Sequence, residues 1–339
     1  MSSHTHHSVA KLAVLGAGSW GTALAILAAR NGCQTLLWGH NAEHIAALAR
    51  DKQNKRYLPN IAFPASLSVT ANLQTAASFS DVVLIAVPSH AFKTTLRTIK
   101  PYLSPRSYIA WASKGFDPDE GLLLSQIVTQ VLSTSTPAAI LSGPTFASEV
   151  AANLPTAITI AASDEAFAQH LAGLLHSSRF RTYTSSDMIG VQVGGAVKNV
   201  LAIAAGIADG LGFGANTRAA LITRGLNEII RLGTRLGGRQ ETFMGLAGLG
   251  DLILTCTDNQ SRNRRLGLAL GQGIDRVLAT RAIGQEIEGV FAARETYLLA
   301  QKYGIEMPIS EQTYKVLYEG LAPLNAVENL LMRDQKAEL

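Results

Sequence analysis

KLAVLGAGSWGTA, residues 11–23, joins an apolar run to an Ala-rich stretch through glycines spaced G-x-G-x-x-G. The run Lys11–Gly16 predicts a strand, and Ser19–Asn31 predicts a helix. Each glycine answers a different steric demand. Gly16 permits a tight turn, Gly18 lets the backbone close on a pyrophosphate, and Gly21 lets the helix pack against the strand. The helix start offers unpaired N–H groups and the positive end of the peptide dipole to an anion. A glycine-rich turn without function is the plain alternative, but the strand–turn–helix context points to dinucleotide binding.

Outward from this unit, Thr35–Trp38 reads as a second strand, with Asn41 as N-cap of a helix over Ala42–Arg50. Val82–Val87, Tyr108–Ala112, Ala138–Leu141 and Ala157–Ala161 are apolar on every side and are separated by helical patterns. Such runs predict a parallel sheet covered on both faces. Residues 11–187 are therefore expected to form a doubly wound, Rossmann-type α/β domain. From a helix start capped by Ser186 or Asp187, the pattern turns helical: Val191–Leu211, Thr217–Leu236, Arg262–Leu270, Gly289–Tyr303 and Ser310–Gly320. Residues 188–339 are expected to be an all-α domain. Residues 1–10 are polar and lack an apolar h-region, so they read as a flexible tail rather than a signal peptide, with His4, His6 and His7 not a metal site.

The composition agrees with this layout. At 339 residues, 47% hydrophobic and 16% charged, the chain is long enough for two ordered domains. The net charge of +4 is spread thinly, the densest cluster being Arg262, Arg264 and Arg265. That favours small phosphorylated ligands over nucleic acid. Cys33 and Cys256 stand far apart, which argues against a disulfide framework and fits a cytoplasmic protein. The most apolar stretch, Val200–Ala208, falls short of the roughly 20 residues a membrane span needs. No metal-ligand spacing and no nucleophile elbow is present.

At the end of the second strand the chain reads Trp38-Gly39-His40-Asn41. No carboxylate stands there to bond a ribose 2′-OH or repel a 2′-phosphate, so NADP is permitted and preferred, with NAD possible. His40 could stack on adenine, donate to the phosphate, or be an exposed loop residue. Lys114, in Ser113-Lys114-Gly115, and the loop Gly143-Pro144-Thr145-Phe146-Ala147 follow strands, where ligands of open α/β sheets bind. Lys198 sits in an apolar helix with Gly194, Ala202 and Ala205 as helical neighbours. It is either a snorkelling surface lysine or an ammonium desolvated into a usable base. Asp251 ends the Gly-rich loop Gly248-Leu249-Gly250. Ser261-Arg262-Asn263 opens a later helix, where Arg262 offers a planar fork for phosphate; a solvated basic face is the alternative. Glu286 and Glu288 could bond a ribose or simply be exposed.

Six motifs in order, GAGSWGTA at 16–23, SKG at 113–115, SGPTFA at 142–147, KNV at 198–200, GLGD at 248–251 and SRN at 261–263, carry a family resemblance. From Lys11 to about Met332 the chain resembles the bacterial NAD(P)-dependent glycerol-3-phosphate dehydrogenases. The resemblance implies interconversion of dihydroxyacetone phosphate and sn-glycerol 3-phosphate by hydride transfer, supplying phospholipid synthesis, in a homodimer with the site between the domains. It implies that Ser19 and Trp20 contact cofactor phosphates and His40 the adenosine end. Lys114 would touch cofactor and substrate, Gly143 and Thr145 the substrate, and Ala147 the cofactor. Lys198 would accept the proton. Asp251, Ser261, Arg262 and Asn263 would bind or orient substrate, while Arg262, Glu286 and Glu288 would reach the cofactor. Thr145 stands where the family more often has serine, His40 where arginine is frequent, and Glu286 where the family is often apolar. A β-hydroxyacid or 6-phosphogluconate-type dehydrogenase would share the fold but act on a carboxylate, whereas the SRN cluster suits a phosphate. A regulator that binds NADP(H) without turnover would not need Lys114, Lys198 and Asp251 together.

Overall fold

The computed structural model describes residues 9–334; most of the tail, with its three histidines, lies outside them. Ten strands form: β1 (Lys11–Leu15), β2 (Gln34–Trp38), β3 (Gln53–Asn54), β4 (Leu58–Ala62), β5 (Leu67–Thr70), β6 (Val82–Ile85), β7 (Tyr108–Trp111), β8 (Ala138–Ser142), β9 (Thr156–Ala162) and β10 (Phe180–Ser185). Eight of them build one sheet in the order β10-β9-β8-β7-β6-β1-β2-β5, while β3 and β4 pair as a small antiparallel hairpin. The strand order reverses beside β1, the arrangement expected of a doubly wound sheet.

The continuous apolar runs are explained by two cores. Leu12, Val14, Leu84 and Ala110 point into one layer, and Ala13, Leu15, Val83, Ile85, Ile109 and Trp111 into the other. Successive residues of a strand face opposite sides, so a strand buried on both faces keeps no polar alternation. Helix α1 (Ser19–Arg30) and the helix Glu165–Leu175 cover the first layer; the helices Ser89–Ile99 and Leu124–Val131 cover the second.

Two strands, β9 and β10, run opposite to the rest of the expected parallel sheet. Ala138–Leu141 and Ala157–Ala161 are neighbours, but β9 runs antiparallel to β8, with Ile140 opposite Ala161. Apolar content records burial, not direction. The strand β10, parallel to β9, and the edge strand β5 were not anticipated. Both carry polar residues on their open side, where an edge strand meets solvent.

Beyond Asp187, whose carboxylate caps the next helix by accepting from Gly190 N at 2.8 Å, the described residues are helical. Helix α2 (Met188–Gly210) runs through the middle. Around it stand α3 (Ala215–Arg235), α4 (Asp251–Thr257), α5 (Arg262–Gly271), α6 (Glu288–Tyr303), α7 (Pro308–Tyr318) and α8 (Pro323–Leu331). With 23 residues, α2 is long and apolar enough to cross a membrane by length and composition, so the short-stretch argument from Val200–Ala208 does not hold. Its apolar surface is instead covered by its own neighbours. Glycines let α5 approach it backbone to backbone. A Cβ on Gly206 would lie 2.2 Å from the Arg264 carbonyl oxygen, and one on Gly267 would lie 2.0 Å from that of Ile203. No side chain fits there, and this contact sets how α5 presents its N-terminus to the rest of the domain.

Candidate active site

The site assembles along the carboxyl edge of the sheet. Gly16, at φ +125°, leaves β1 and lies so close to β6 that a Cβ would stand 2.5 Å from the Ala86 carbonyl oxygen. A Cβ on Gly21 would stand 1.9 Å from the Gly16 carbonyl oxygen, so α1 packs directly on the turn. Gly18 differs from both, because a Cβ there would meet no protein atom within 4 Å. Its bareness therefore serves no internal packing and leaves room for a ligand group against the backbone. The first turn of α1 has no side-chain cap at Gly18, and the Trp20 indole N–H is buried without a partner. Open N–H groups, a positive helix end and space beside Gly18 fit the pyrophosphate of a dinucleotide. Ser19 and Trp20 are half-buried at this turn, and His40 is exposed just past β2.

The edge continues through β6 and β7. Ser113 Oγ donates to the Val87 carbonyl at 2.5 Å, placing Lys114 beside the turn that follows β6. Lys114 Nζ lies 3.4 Å from the Gly143 carbonyl oxygen past β8, and Gly143 itself has φ +159°. Thr145 turns its hydroxyl back onto the same carbonyl at 3.2 Å, and Ala147 opens a short helix packed toward the first core layer.

Across from this edge stand Lys198 of α2 and Asp251 of α4. Lys198 is 5% exposed and Asp251 1% exposed. Asp251 Oδ1 accepts from Lys198 Nζ at 2.5 Å, and its Oδ2 accepts from Lys114 Nζ at 2.6 Å. One carboxylate thus joins a lysine of the nucleotide domain to a lysine of the helical domain. Thr255, one turn along α4, accepts from Lys198 Nζ at 2.7 Å and donates to the Asp251 carbonyl at 2.6 Å. Two of the three ammonium donors of Lys198 are therefore fixed, which leaves one direction for a substrate.

Electrostatics follows from this geometry. Burial lowers the Lys198 pKa to about 8; the attraction of Asp251 opposes the fall and the charge of Lys114 adds to it. Burial works against the Asp251 charge too, but Lys114 and Lys198 outweigh it and hold that carboxyl below its ordinary value. The surface-lysine reading of residue 198 is thereby excluded. Asp251 is also no flexible loop residue. A single π-helical turn, Leu246–Gly250, leads straight into α4 with Asp251 as its first residue. Such turns recur at functional sites.

A carboxylate clamped between two lysines at the carboxyl edge of a dinucleotide-type sheet is chemistry for a polarised hydroxyl or carbonyl. Comparison with known proteins agrees. Family models described as the N-terminus and the C-terminus of NAD-dependent glycerol-3-phosphate dehydrogenase match residues 11–168 and 187–328. The chain belongs to this family. It is 58% identical over 328 residues to a glycerol-3-phosphate dehydrogenase (NAD(P)+) of Methylococcus capsulatus, covering 96% of this chain and 98% of that one. A relative of the same name from Pseudoalteromonas translucida is 58% identical over 326 residues, covering 96% and 97%. The crystal structure of glycerol-3-phosphate dehydrogenase from Coxiella burnetii superposes with a TM-score of 0.94 at 49% identity, covering 96% of this chain and 99% of that one.

Within this dehydrogenase-family site, the remaining sequence candidates fall into two groups. Glu288, at the start of α6, crosses to the nucleotide domain, where its two oxygens accept from Ser89 N at 3.2 Å and Ser89 Oγ at 2.8 Å. Burial pushes this carboxyl up to about 7 against those two hydrogen bonds. Glu286 lies 3.8 Å from His90 Nδ1. Arg262 is half-buried and feels both glutamates, yet its guanidinium forms no hydrogen bond or ion pair among the described residues. Burial lowers its pKa, with Glu288 and Glu286 opposing.

Ser261 and Asn263 are turned inward. Ser261 caps α5 by accepting from Arg264 N at 3.2 Å. Asn263 donates to Asn199 Oδ1 at 2.9 Å and accepts from Gly289 N at 2.9 Å, tying α2, α5 and α6 together on either side of Arg262. Thr255 and Ser89 escaped the sequence reading. Thr255 carried a usable signal, since it follows Asp251 at i+4 and so shares its helix face. Ser89 carried none, because its partner lies 199 residues away.

Proposed function

We propose that this chain interconverts dihydroxyacetone phosphate and sn-glycerol 3-phosphate, with NADP(H) preferred over NAD(H). The buried Lys198–Asp251–Lys114 cluster carries this reading. The glycine turn at 16–21 would hold a nicotinamide cofactor, which when bound would supply hydride chemistry at C2 of the substrate. In oxidation, Lys198 as free amine takes the C2 hydroxyl proton; in reduction, as ammonium, it returns a proton to that oxygen. Asp251 fixes the Lys198 amine and keeps its pKa near the working range instead of lower. Lys114 adds positive charge beside the forming alkoxide. Arg262 binds the substrate phosphate through its planar fork, holding C2 in line for transfer. Gly143 and Thr145 line the substrate, and Ser19, Trp20, His40, Ala147, Glu286 and Glu288 line the cofactor. Ser261 and Asn263 orient the substrate by holding Arg262 between them.

The NADP preference rests on the missing carboxylate at the end of β2. The same reading makes the enzyme a cytoplasmic homodimer feeding phospholipid synthesis. Two free, buried cysteines support its cytoplasmic part, and the homodimer and the phospholipid role follow from the family resemblance. Mixing the purified chain with NADPH and dihydroxyacetone phosphate, and following the absorbance of the reduced ring, tests the proposal. Cofactor oxidation that depends on dihydroxyacetone phosphate is expected. Turnover only with carboxylate substrates, or cofactor binding with no turnover on any of them, would contradict it.

A further inference from the structure

The turn between β3 and β4, residues 55–57, lies far from the lysine cluster in sequence, yet it is bolted to the glycine turn. The bolt is Asn54, which is fully buried. Its Nδ2 donates to the Ala17 carbonyl at 3.0 Å and to Thr22 Oγ1 at 2.8 Å, and its Oδ1 accepts from Tyr57 N at 3.2 Å. Tyr57 meets the edge of the His44 ring at 5.3 Å between centroids. His44 stands on the helix whose N-cap, Asn41, directly follows His40. Gly39 completes the contact, since a Cβ there would lie 2.9 Å from the Ala17 Cβ. The end of β2, the glycine turn and residues 54–57 thus form one surface.

Two basic groups project from that turn. Lys55 is paired with Asp51 at 3.0 Å. Arg56 lies with its guanidinium carbon 5.0 Å from the Tyr57 ring centre, exposed, and forms no hydrogen bond or ion pair among the described residues. His44 adds no competing charge at neutral pH, because burial lowers its pKa and the nearby Arg56 and His40 press the same way. When a pyrophosphate sits at the glycine turn of such a fold, the adenosine ribose lies over the end of the second strand. A 2′-phosphate there would meet no carboxylate from β2, and the free planar fork beside it is Arg56.

We propose that Arg56 is the specificity-determining residue that recognises the adenosine 2′-phosphate of NADP(H). Stacking on Tyr57 holds the guanidinium plane while leaving its N–H edge for the phosphate oxygens. This rests on the NADP preference argued above, and the test separates the two.

Calorimetric titration of the full chain with 2′,5′-ADP and with 5′-AMP reads the phosphate contribution without turnover. The unsubstituted chain should bind 2′,5′-ADP more tightly. Arg56→Ala should weaken 2′,5′-ADP by ~10–100-fold, the range of a charge-assisted bidentate contact, and leave 5′-AMP within about twofold. Arg56→Lys, which keeps the charge but not the fork, should fall between. An Arg56→Ala chain that keeps the full preference for 2′,5′-ADP overturns the Arg56 assignment alone. So does an equal loss for both nucleotides. Equal affinities in the unsubstituted chain overturn the NADP preference and the assignment with it.

Discussion

Two buried carboxylates, Asp251 and Glu228, sit in the same helical domain and are satisfied in opposite ways. Glu228, on α3, accepts from Ile309 N at 2.6 Å, Ser310 N at 3.0 Å and Ser310 Oγ at 2.7 Å. It therefore caps the N-terminus of α7 by accepting from N–H groups that have no partner within that helix. It lines a cavity of about 480 Å³ that shares no lining residue with the lysine cluster. Asp251 is satisfied almost entirely by two lysine ammonium groups from two domains, each of which still has a donor to spare. A buried acid whose partners are backbone amides fixes a helix; one whose partners are lysines sets a protonation state. Burial alone does not distinguish a functional charge from a structural one, but the identity of the partners does.

Substitutions should split along that line. The largest effect is expected for Lys198→Ala. Turnover should fall at least ~10²–10⁴-fold, the usual loss for a proton-transfer group, with cofactor affinity little changed. Lys114 still pairs Asp251 in that variant, so the fold is expected to hold, and circular dichroism checks this. Near-normal turnover would place Lys198 with the structural charges.

Glu228 should behave in the other way. Burial raises its pKa to about 7, above its unfolded value, so folding favours the protonated form. Its contribution to stability is full at acid pH and is lost as pH rises through about 7, a change on the order of 3 kcal/mol between pH 5 and 8. Glu228→Gln should flatten that dependence of thermal stability while leaving kcat within about twofold. A pH dependence of stability identical in the two chains would remove Glu228 from this account.

The same contrast explains what the sequence could reveal. The glycine turn was readable because three local steric demands fall within six residues. The helices Met188–Gly210, Ala215–Arg235, Arg262–Gly271, Glu288–Tyr303 and Pro308–Tyr318 were readable, within about three residues at either end, from apolar periodicity. The reversal of β9 was not, because both neighbours are equally apolar whichever way the strand runs. Lys198 was readable as an anomaly, a lone cation among Gly194, Ala202 and Ala205. Its setting was not, since Asp251 and Lys114 lie 53 and 137 residues apart from their hydrogen-bond partners in the chain. Arg56 carried no local signal either. Its place beside the glycine turn depends on Asn54, whose bond to Ala17 spans 37 residues.

The most direct test of the Lys198–Asp251 pairing is the pH dependence of kcat/KM for reduction of dihydroxyacetone phosphate, measured for the unsubstituted chain and for Asp251→Asn. Reduction needs Lys198 as ammonium, so the rate should fall as pH rises through about 8. Removing the Asp251 charge takes away the attraction that holds the proton, so that fall should move acidward by about one to three pH units on whatever activity remains. A fall at the same pH in both chains would contradict the account, because residue 251 would then not govern the proton on residue 198.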